Sequence, residues 1–411
     1  MRIAIIGGGA AGMMAAATIN ENKPEAEVFL LEKNNKLGKK VLISGGGRCN
    51  VTTGLQDIKI VLSKYPRGSK FLNSAMHAFS PQAVQDWFIG HGVPLKCEAD
   101  DRVFPVSNNG QDVVAVFENI FKKNNTKILF EHSVYSIEKK DKYFIIHSKN
   151  QADLQVDKVV LTLGGQAYRQ TGSTGDGYNL AENLGHHTSQ LAPSLSSLVT
   201  SEAWPSQVAG LSFAKIVLKT KINNKKYETS GPLIFTHWGI SGPAVFAFSS
   251  LVAFENFHEA QALKIFLDIV PGISADQVLG QLKNYLSTNP KKSFKHALQL
   301  FVPLSFAKVI LEQLSISPDK KNSEISKVEL RKVVEFLKNL PLTIITRRAG
   351  DEFVTAGGIT LSEVDPSSMQ SKICKNLYLA GEILDIDGFT GGFNLQAAWA
   401  TGRLAGLKIG D

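Results

Sequence analysis

The sequence predicts an α/β protein in which both chain ends build one doubly wound parallel sheet, with a β module and a helical module inserted between them. Three observations carry this. A short apolar run, Arg2–Ile6, ends in Gly7-x-Gly9-x-x-Gly12. Near the other end, Leu377–Ala380 runs into Gly381, and a Gly-rich turn at Asp387–Gly392 precedes an Ala-rich segment. Between them the chain turns β-rich and then helical before it returns to strand and glycine chemistry.

Arg2–Ile6 suits a strand buried on both faces, because it is apolar without alternation. Ala10–Asn20 reads as a helix and Val28–Leu31 as a second buried strand, giving strand, glycine turn, helix and strand at the start of the chain. Helical periodicity follows at Pro81–Ile89 and Val113–Lys122, and strand patterns at Lys127–Phe130, Tyr143–His147 and Lys158–Thr162. Asp176–Leu184 reads as a helix closed by Gly185. Ile216–Ile222 and Tyr227–Phe235 flank an Asn223–Asn224 turn, and Ala262–Ile269 continues the β-rich stretch. Helices are expected at Asp276–Leu286, Ser305–Leu314 and Lys327–Leu337, with Ser274 and Ser326 as N-caps and Glu329 completing a capping box. Phe393–Leu407 is the last helix.

The chain has 411 residues, 43 % hydrophobic and 20 % charged, which allows two or three domains and excludes collagen-like or wholly disordered readings. Three widely spaced cysteines (Cys49, Cys97, Cys374) fit neither a disulfide framework nor a zinc site and point to a reducing cytoplasm. His186-His187 has no cysteine or carboxylate at ligand spacing, so no metal site is expected. The apolar stretch Gly242–Phe254 is shorter than the roughly 20 residues that span a bilayer, so no membrane partner is expected. The interrupted N-terminal run is not a signal peptide. Net charge is +8. Eleven Lys/Arg against six Asp/Glu between Pro271 and Leu340 put 11 − 6 = +5 of it in the helical segment, either a solvated surface or a face for a polyanion such as RNA.

Dinucleotide chemistry explains the first motif. Gly7 makes the tight turn, Gly9 lets a pyrophosphate approach the backbone, and Gly12 lets the helix pack on the strand. The phosphates then meet a positive helix terminus. Glu32, at the end of the second strand, suits a ribose diol and disfavours a 2′-phosphate, but it does not separate FAD from NAD. The C-terminal segment does more: Glu382 suits a ribityl hydroxyl, and Gly391-Gly392-Phe393-Asn394 opens a helix whose N-terminus would stabilise negative charge on a reduced flavin, the alternative being a plain glycine turn that caps a helix.

Ser44-Gly45-Gly46-Gly47-Arg48-Cys49-Asn50 is the next dense signal, since three glycines suit close backbone approach to a planar or anionic group. Cys49 reads equally as an acid or redox thiol and as a small buried residue. Gly164-Gly165 and Gly172-Ser173-Thr174-Gly175-Asp176-Gly177 read equally as cofactor contacts and as turn chemistry. His237 and Trp238 read as packing and turn residues.

Four stretches resemble one group: Leu37-Gly38-Lys39-Lys40 with Ser44–Asn50; Gly172–Tyr178; Phe235-Thr236-His237-x-Gly239-x-Ser241-Gly242-Pro243; and Gly381-Glu382-x-x-Asp385-x-Asp387-Gly388 with Gly391–Asn394. That group is the bacterial FAD-dependent oxidoreductase family of BaiN and aminoacetone oxidase-like flavoproteins. The resemblance implies a glutathione reductase-like Rossmann FAD domain (1–192 and 350–411). It also implies a β-barrel insert (193–270 and 341–349) that carries a small helical domain (271–340). Ala167, Arg169 and Thr53 depart from the family pattern on the substrate side.

By resemblance, the first glycine turn (Gly7, Gly9, Ala10, Ala11, Gly12) and Glu32 hold the ADP half of an FAD site, and Lys33, Lys39, Val134, Gly164 and Gly165 are further cofactor-binding residues. Ser44, Gly46, Gly47, Arg48, Cys49, Asn50, Gly381, Glu382, Gly392, Phe393, Asn394 and Leu395 surround the ribityl chain and ring. No second dinucleotide fingerprint is evident, so NAD(P)H is expected only as a transient electron donor. Three activities stay open. One is reduction of an unsaturated substrate, including a uridine in large-subunit rRNA, with hydride passing from flavin N5 to uracil C6 and Cys49 as the acid at C5. The others are amine oxidation by oxygen and an RNA-binding or assembly role with a structural flavin. Small molecules and rRNA both remain substrates, and the oligomeric state is not legible.

Overall fold

The computed structural model describes residues 1–124 and 126–410. The chain forms two compact units, Met1–Ser194 with Glu352–Asp411, and Leu195–Asp351. The first is organised on a five-stranded parallel sheet. Its strand order is Leu377–Leu379, Lys158–Leu161, Arg2–Ile6, Glu27–Leu31 and Lys127–Leu129. The N-terminal strand lies at the centre and the C-terminal strand at one edge, as expected when two chain ends share one doubly wound sheet.

The N-terminal strand is buried from Ile3 to Ile6, and the helix after it, Ala10–Asn22, is buried from Ala11 to Asn20. That helix is enclosed because the last helix, Phe393–Lys408, lies against it through small residues. A Cβ on Gly402 would strike the Ala11 carbonyl oxygen, and one on Gly406 would come within 2.8 Å of the Ala15 carbonyl oxygen. Beyond them Trp87, Phe88, Phe117 and Trp399 form an aromatic cluster, with Phe117 stacked on Trp399 at 5.7 Å. A three-stranded antiparallel meander, Val134–Lys139, Phe144–Ser148 and Leu154–Val156, completes this part of the unit.

The second unit is a closed six-stranded barrel of Leu198–Thr200, Gly239–Ser241, Lys225–Thr236, Ser212–Ile222, Leu263–Asp268 and Leu340–Arg347. Its long hairpin turns at Asn223 and Asn224 with φ of 48° and 66°, the left-handed pair that a two-residue hairpin loop requires. Four helices lie between the last two strands: Ala275–Thr288, Lys295–Leu298, Leu304–Gln313 and Lys327–Lys338. Ser274 and Ser326 cap the first and last of them in complete capping boxes. The helices share one apolar cluster with the barrel, where Phe306 meets Phe235 at 5.3 Å and Trp204 at 5.7 Å.

Several short elements escape periodicity, three of them near the site or the barrel. Lys39–Ile43 is a single helical turn, and Val134–Lys139 is a strand with only two fully buried positions. Pro243–Leu251, the core of the apolar stretch that is too short for a membrane, is a helix begun by proline and packed on the barrel. Among the described residues no helix is long and apolar enough to cross a membrane.

Candidate flavin site

The site lies wholly in the sheet unit and begins at the turn between the first strand and helix. The Gly7 N–H donates to the Leu31 carbonyl, and Thr162 Oγ1 donates to the carbonyls of Ile6 and Gly7 at 3.0 and 2.9 Å. A Cβ on Gly12 would collide with the Gly7 carbonyl oxygen, so the close approach of helix to turn requires glycine. Gly9, the N-cap, has no side-chain cap; no acid occupies the first helical turn, and nothing lies within 4 Å of a Cβ built on it. The helix therefore presents unpaired N–H groups beside open space, the geometry that accepts a phosphate.

Glu32 is buried beside this turn. Its Oε2 accepts from the Gly8 N–H at 2.8 Å, and Oε1 accepts from the N–H and Nδ2 of Asn34 at 2.8 and 2.6 Å. Oε2, which accepts a single bond, keeps a lone pair for a ribose hydroxyl. Asn34 is a hub that the sequence gives no signal for: its Nδ2 also donates to the Thr171 carbonyl, and its Oδ1 accepts from Lys39 Nζ at 2.8 Å. Lys33 Nζ donates to Thr174 Oγ1 at 2.6 Å and Asp176 Oδ2 at 2.8 Å. Burial works to raise the Asp176 carboxyl, but the Lys33 and Thr174 hydrogen bonds hold it below its ordinary range. The Gly172–Gly177 loop is thus brought against Glu32–Asn34, a pairing with no trace in the spacing. The His132 N–H bonds to the Glu32 carbonyl and leads into Val134, which is buried in the same core.

A second group of predicted residues gathers at the other half. Gly381 lies so close to the first helix that a Cβ would come within 2.8 Å of the Ala11 Cβ. Glu382 pairs with Lys40 at 2.7 Å and accepts from the Thr355 N–H at 3.1 Å. Gly164-Gly165 stands beside them; a Cβ on Gly165 would meet Thr355 Oγ1 at 2.5 Å, and Ser173 Oγ donates to the Gly165 carbonyl. Gly392 packs on Thr52, and Thr52 Oγ1 donates to Gln396 Oε1 at 2.6 Å. These contacts bring the N-terminus of the last helix to the end of the Ser44–Asn50 run. That terminus also has no side-chain cap and no acid in its first turn.

The Ser44–Asn50 run explains its glycines. Gly45, Gly46, Gly47 and Cys49 have φ of 56°, 70°, 89° and 60°, and Cβ atoms on Gly46 and Gly47 would meet nothing within 4 Å. The polar side chains around it serve as braces. Arg48 pairs with Glu98 at 2.7 Å and lies 3.8 Å from the Phe104 ring centre. Asn50 Oδ1 accepts from the Val103 N–H, and Asn394 bonds both ways to Gly388 at 2.8 Å. Phe393 is buried, with its carbonyl accepting from Tyr65 Oη at 2.6 Å, and Leu395 packs on the core.

Cys49, the candidate acid, is enclosed in the core. Its side chain is 0 % exposed and burial pushes the thiol up to about 12, against a weaker opposing hydrogen bond from Ser44. A proton donor must reach its substrate, and this thiol is enclosed beneath the glycine run. Two carboxylates on the C-terminal turn fare differently from each other. Asp387 is 0 % exposed, forms a two-pronged pair with Arg67 and accepts from Ser194 Oγ at 2.8 Å. Burial raises Asp385, whose Oδ2 accepts from Ser189 while Oδ1 has no bond among the described residues.

The residues present fit FAD. Two uncapped helix N-termini, three glycines with open space where a Cβ would stand, and one acid at the end of the second strand match the demands of a pyrophosphate, a ring system and a ribose.

Comparison with known proteins agrees with this geometry. The family described as HI0933-like protein Rossmann domain matches residues 1–408. A 3-dehydro-bile acid delta(4,6)-reductase of Clostridium scindens is 31 % identical over 100 % of this chain and 99 % of its own length. Proteins named ribosomal RNA dihydrouridine synthase are 27 % identical in Haemophilus influenzae, over 98 % of this chain and 97 % of theirs, and 26 % identical in Escherichia coli, over 97 % and 95 %. Among solved structures, a 3-ketosteroid delta1-dehydrogenase from Sterolibacterium denitrificans shares the fold with a TM-score of 0.53 at 14 % identity, covering 99 % of this chain and 98 % of that one.

Proposed function

Because the chain belongs to the HI0933-like Rossmann family and is an FAD-dependent oxidoreductase, we propose that it saturates a ring carbon–carbon double bond conjugated to a carbonyl, and that the ring is a uracil in ribosomal RNA. The observation that carries the reading of a bound flavin is that two uncapped helix termini, at Gly9 and Gly392, occur in one unit with the open glycines Gly46 and Gly47. Bound FAD, reduced by a transient donor such as NAD(P)H, supplies hydride transfer to an electron-poor double bond. The chain's part is to hold the cofactor and stabilise charge. The N-terminus of the first helix and Glu32 would hold the pyrophosphate and ribose. Lys40 holds Glu382 in place for a ribityl hydroxyl, and the N-terminus of the last helix stabilises negative charge on the ring.

Two of the relatives' names support the uracil reading, and the charge of the helical insert supports a polyanionic substrate. An isolated bridge pairs Ser293 with Lys321, and the Asn322 N–H bonds to the Lys292 carbonyl. The exposed Lys291, Lys292 and Lys321 are thereby drawn into one basic corner. Lys295 and Lys320 are instead occupied by Asp319 and Glu329. The second reading, a small cyclic enone as substrate, is favoured by the 31 % identity to the bile-acid reductase.

Anaerobic reoxidation of the reduced holoenzyme separates the two. The expected result is rapid recovery of the oxidised flavin band on adding undermodified ribosomal RNA, with dihydrouridine formed in equal amount. Reoxidation by a steroid enone alone contradicts the uracil reading. Reoxidation by neither acceptor, together with an amine that reduces the oxidised flavin and oxygen that reoxidises it with release of peroxide, contradicts the reductase itself.

A further inference from the structure

The hairpin turn Thr236–Gly239 on the barrel unit carries two exposed ring side chains, His237 and Trp238. Trp204 and Trp399 are buried, as a large apolar side chain should be, whereas Trp238 is 37 % exposed at the tip of a turn. Its backbone is fixed: the Trp238 carbonyl accepts from the Thr200 N–H at 3.0 Å, and a Cβ on Gly239 would strike the Leu198 carbonyl oxygen. The indole is fixed as well. The Arg348 guanidinium carbon lies 3.4 Å from its ring centre, a stacked cation–π contact.

Arg348 is itself anchored, its N–H donating to the Ser197 carbonyl at 3.0 Å and its Nε standing 3.6 Å from Asp351 Oδ2. Its Nη1 is buried and has no hydrogen-bond partner among the described residues, and Thr236 Oγ1 at the base of the same turn has none either. A half-exposed aromatic plane braced on one face by a guanidinium matches a flat ring that stacks on it.

We infer that Trp238 and Arg348 form a stacking platform for an unpaired base of an RNA ligand. The inference rests on the uracil reading above and deepens it by naming where the barrel unit grips the nucleic acid. Stacking on an aromatic face suits single-stranded RNA because every base has such a face. A planar guanidinium on the other side of the indole stiffens the platform and brings positive charge toward the phosphate backbone. His237, next in the turn and exposed, borders the same edge.

The test uses the holoenzyme and a short single-stranded oligouridylate. Affinity is read by fluorescence anisotropy and by quenching of the indole emission. Trp238→Ala is expected to weaken binding by about tenfold or more, Trp238→Phe by less than about threefold, and Arg348→Lys to fall between them, since it keeps charge but loses the plane. Flavin content and melting temperature serve as the structural control and are expected to match the parent, because the turn is exposed and lies outside the sheet unit. Parent-like affinity in Trp238→Ala overturns the platform while leaving the uracil reading in place. Failure of the parent holoenzyme to bind oligouridylate or ribosomal RNA overturns both.

Discussion

In the sheet unit the candidate site is built from backbone: helix termini left uncapped at Gly9 and Gly392, and left-handed residues at Gly45, Gly46, Gly47 and Cys49 whose side chains are absent or turned to packing. In the barrel unit, the exposed features are side chains: the stacked Trp238–Arg348 pair, and the lysines at the Ser293–Lys321 bridge. On the function proposed above, the difference follows from what each would hold. A pyrophosphate and a flat ring system demand close approach, which only glycine permits, whereas a long polyanion demands charge and stacking at an open surface. The first kind of site tolerates almost no substitution, and the second is spread over residues that can be changed one at a time.

The largest expected effect tests the first half of that comparison. Gly12→Ala places a methyl group against the backbone carbonyl of Gly7, with the Thr162 hydroxyl within 2.7 Å as well. The variant is expected to be recovered without flavin, or largely insoluble, and a flavin-loaded, stable Gly12→Ala protein breaks the claim. Next comes Arg67→Ala. It strands the fully buried Asp387 without its counter-charge, and removing one partner of a buried pair costs about 3–5 kcal/mol. Thermal unfolding of the holoenzyme is expected to shift down by several degrees, with flavin lost in the same transition.

The barrel unit should respond to acid in its own way. A hydrogen bond from Lys320, followed by those from Ser326, holds Glu329 down to about 2, below its ordinary 4.5. A carboxyl depressed in the folded state contributes stability fully above its unfolded value and loses it as pH falls through the folded one. Helix content of the insert is therefore expected to fade between about pH 4.5 and 2, and Glu329→Gln should flatten that decline in a circular dichroism titration. The smallest effect is expected from Cys49→Ala. The thiol is enclosed, so turnover per bound flavin should stay within about twofold of the parent. A large loss of turnover with flavin content intact would restore the acid role to Cys49.

The same contrast explains what could be read from the sequence. Backbone sites write themselves in glycine, so Gly7, Gly9, Gly12, the Ser44–Asn50 run and Gly391-Gly392 were all legible, together with the strands and helices that flank them. Long-range partners were not. Asn34 bonds to Thr171, Lys40 to Glu382, and Arg67 to Asp387 across 137, 342 and 320 positions, and no local spacing encodes such distances. His186 and His187 look partnerless along the chain, yet Glu363 bonds to both rings from the far side of the insert. Trp238 read as a packing residue because tryptophan usually is one; only the turn that carries it places it outside. Cys49 looked reactive because of its glycine and arginine neighbours, and burial together with Arg48's turn toward Glu98 removes that reason.

The central claim joins a flavin held by backbone to a uracil presented by RNA, and one measurement bears on it most directly. Dihydrouridine in large-subunit ribosomal RNA can be mapped by mass spectrometry in cells with and without this protein. The account predicts one or more uridines that stay unreduced in its absence and are restored by the parent chain but not by Gly12→Ala. An unchanged dihydrouridine map would contradict it.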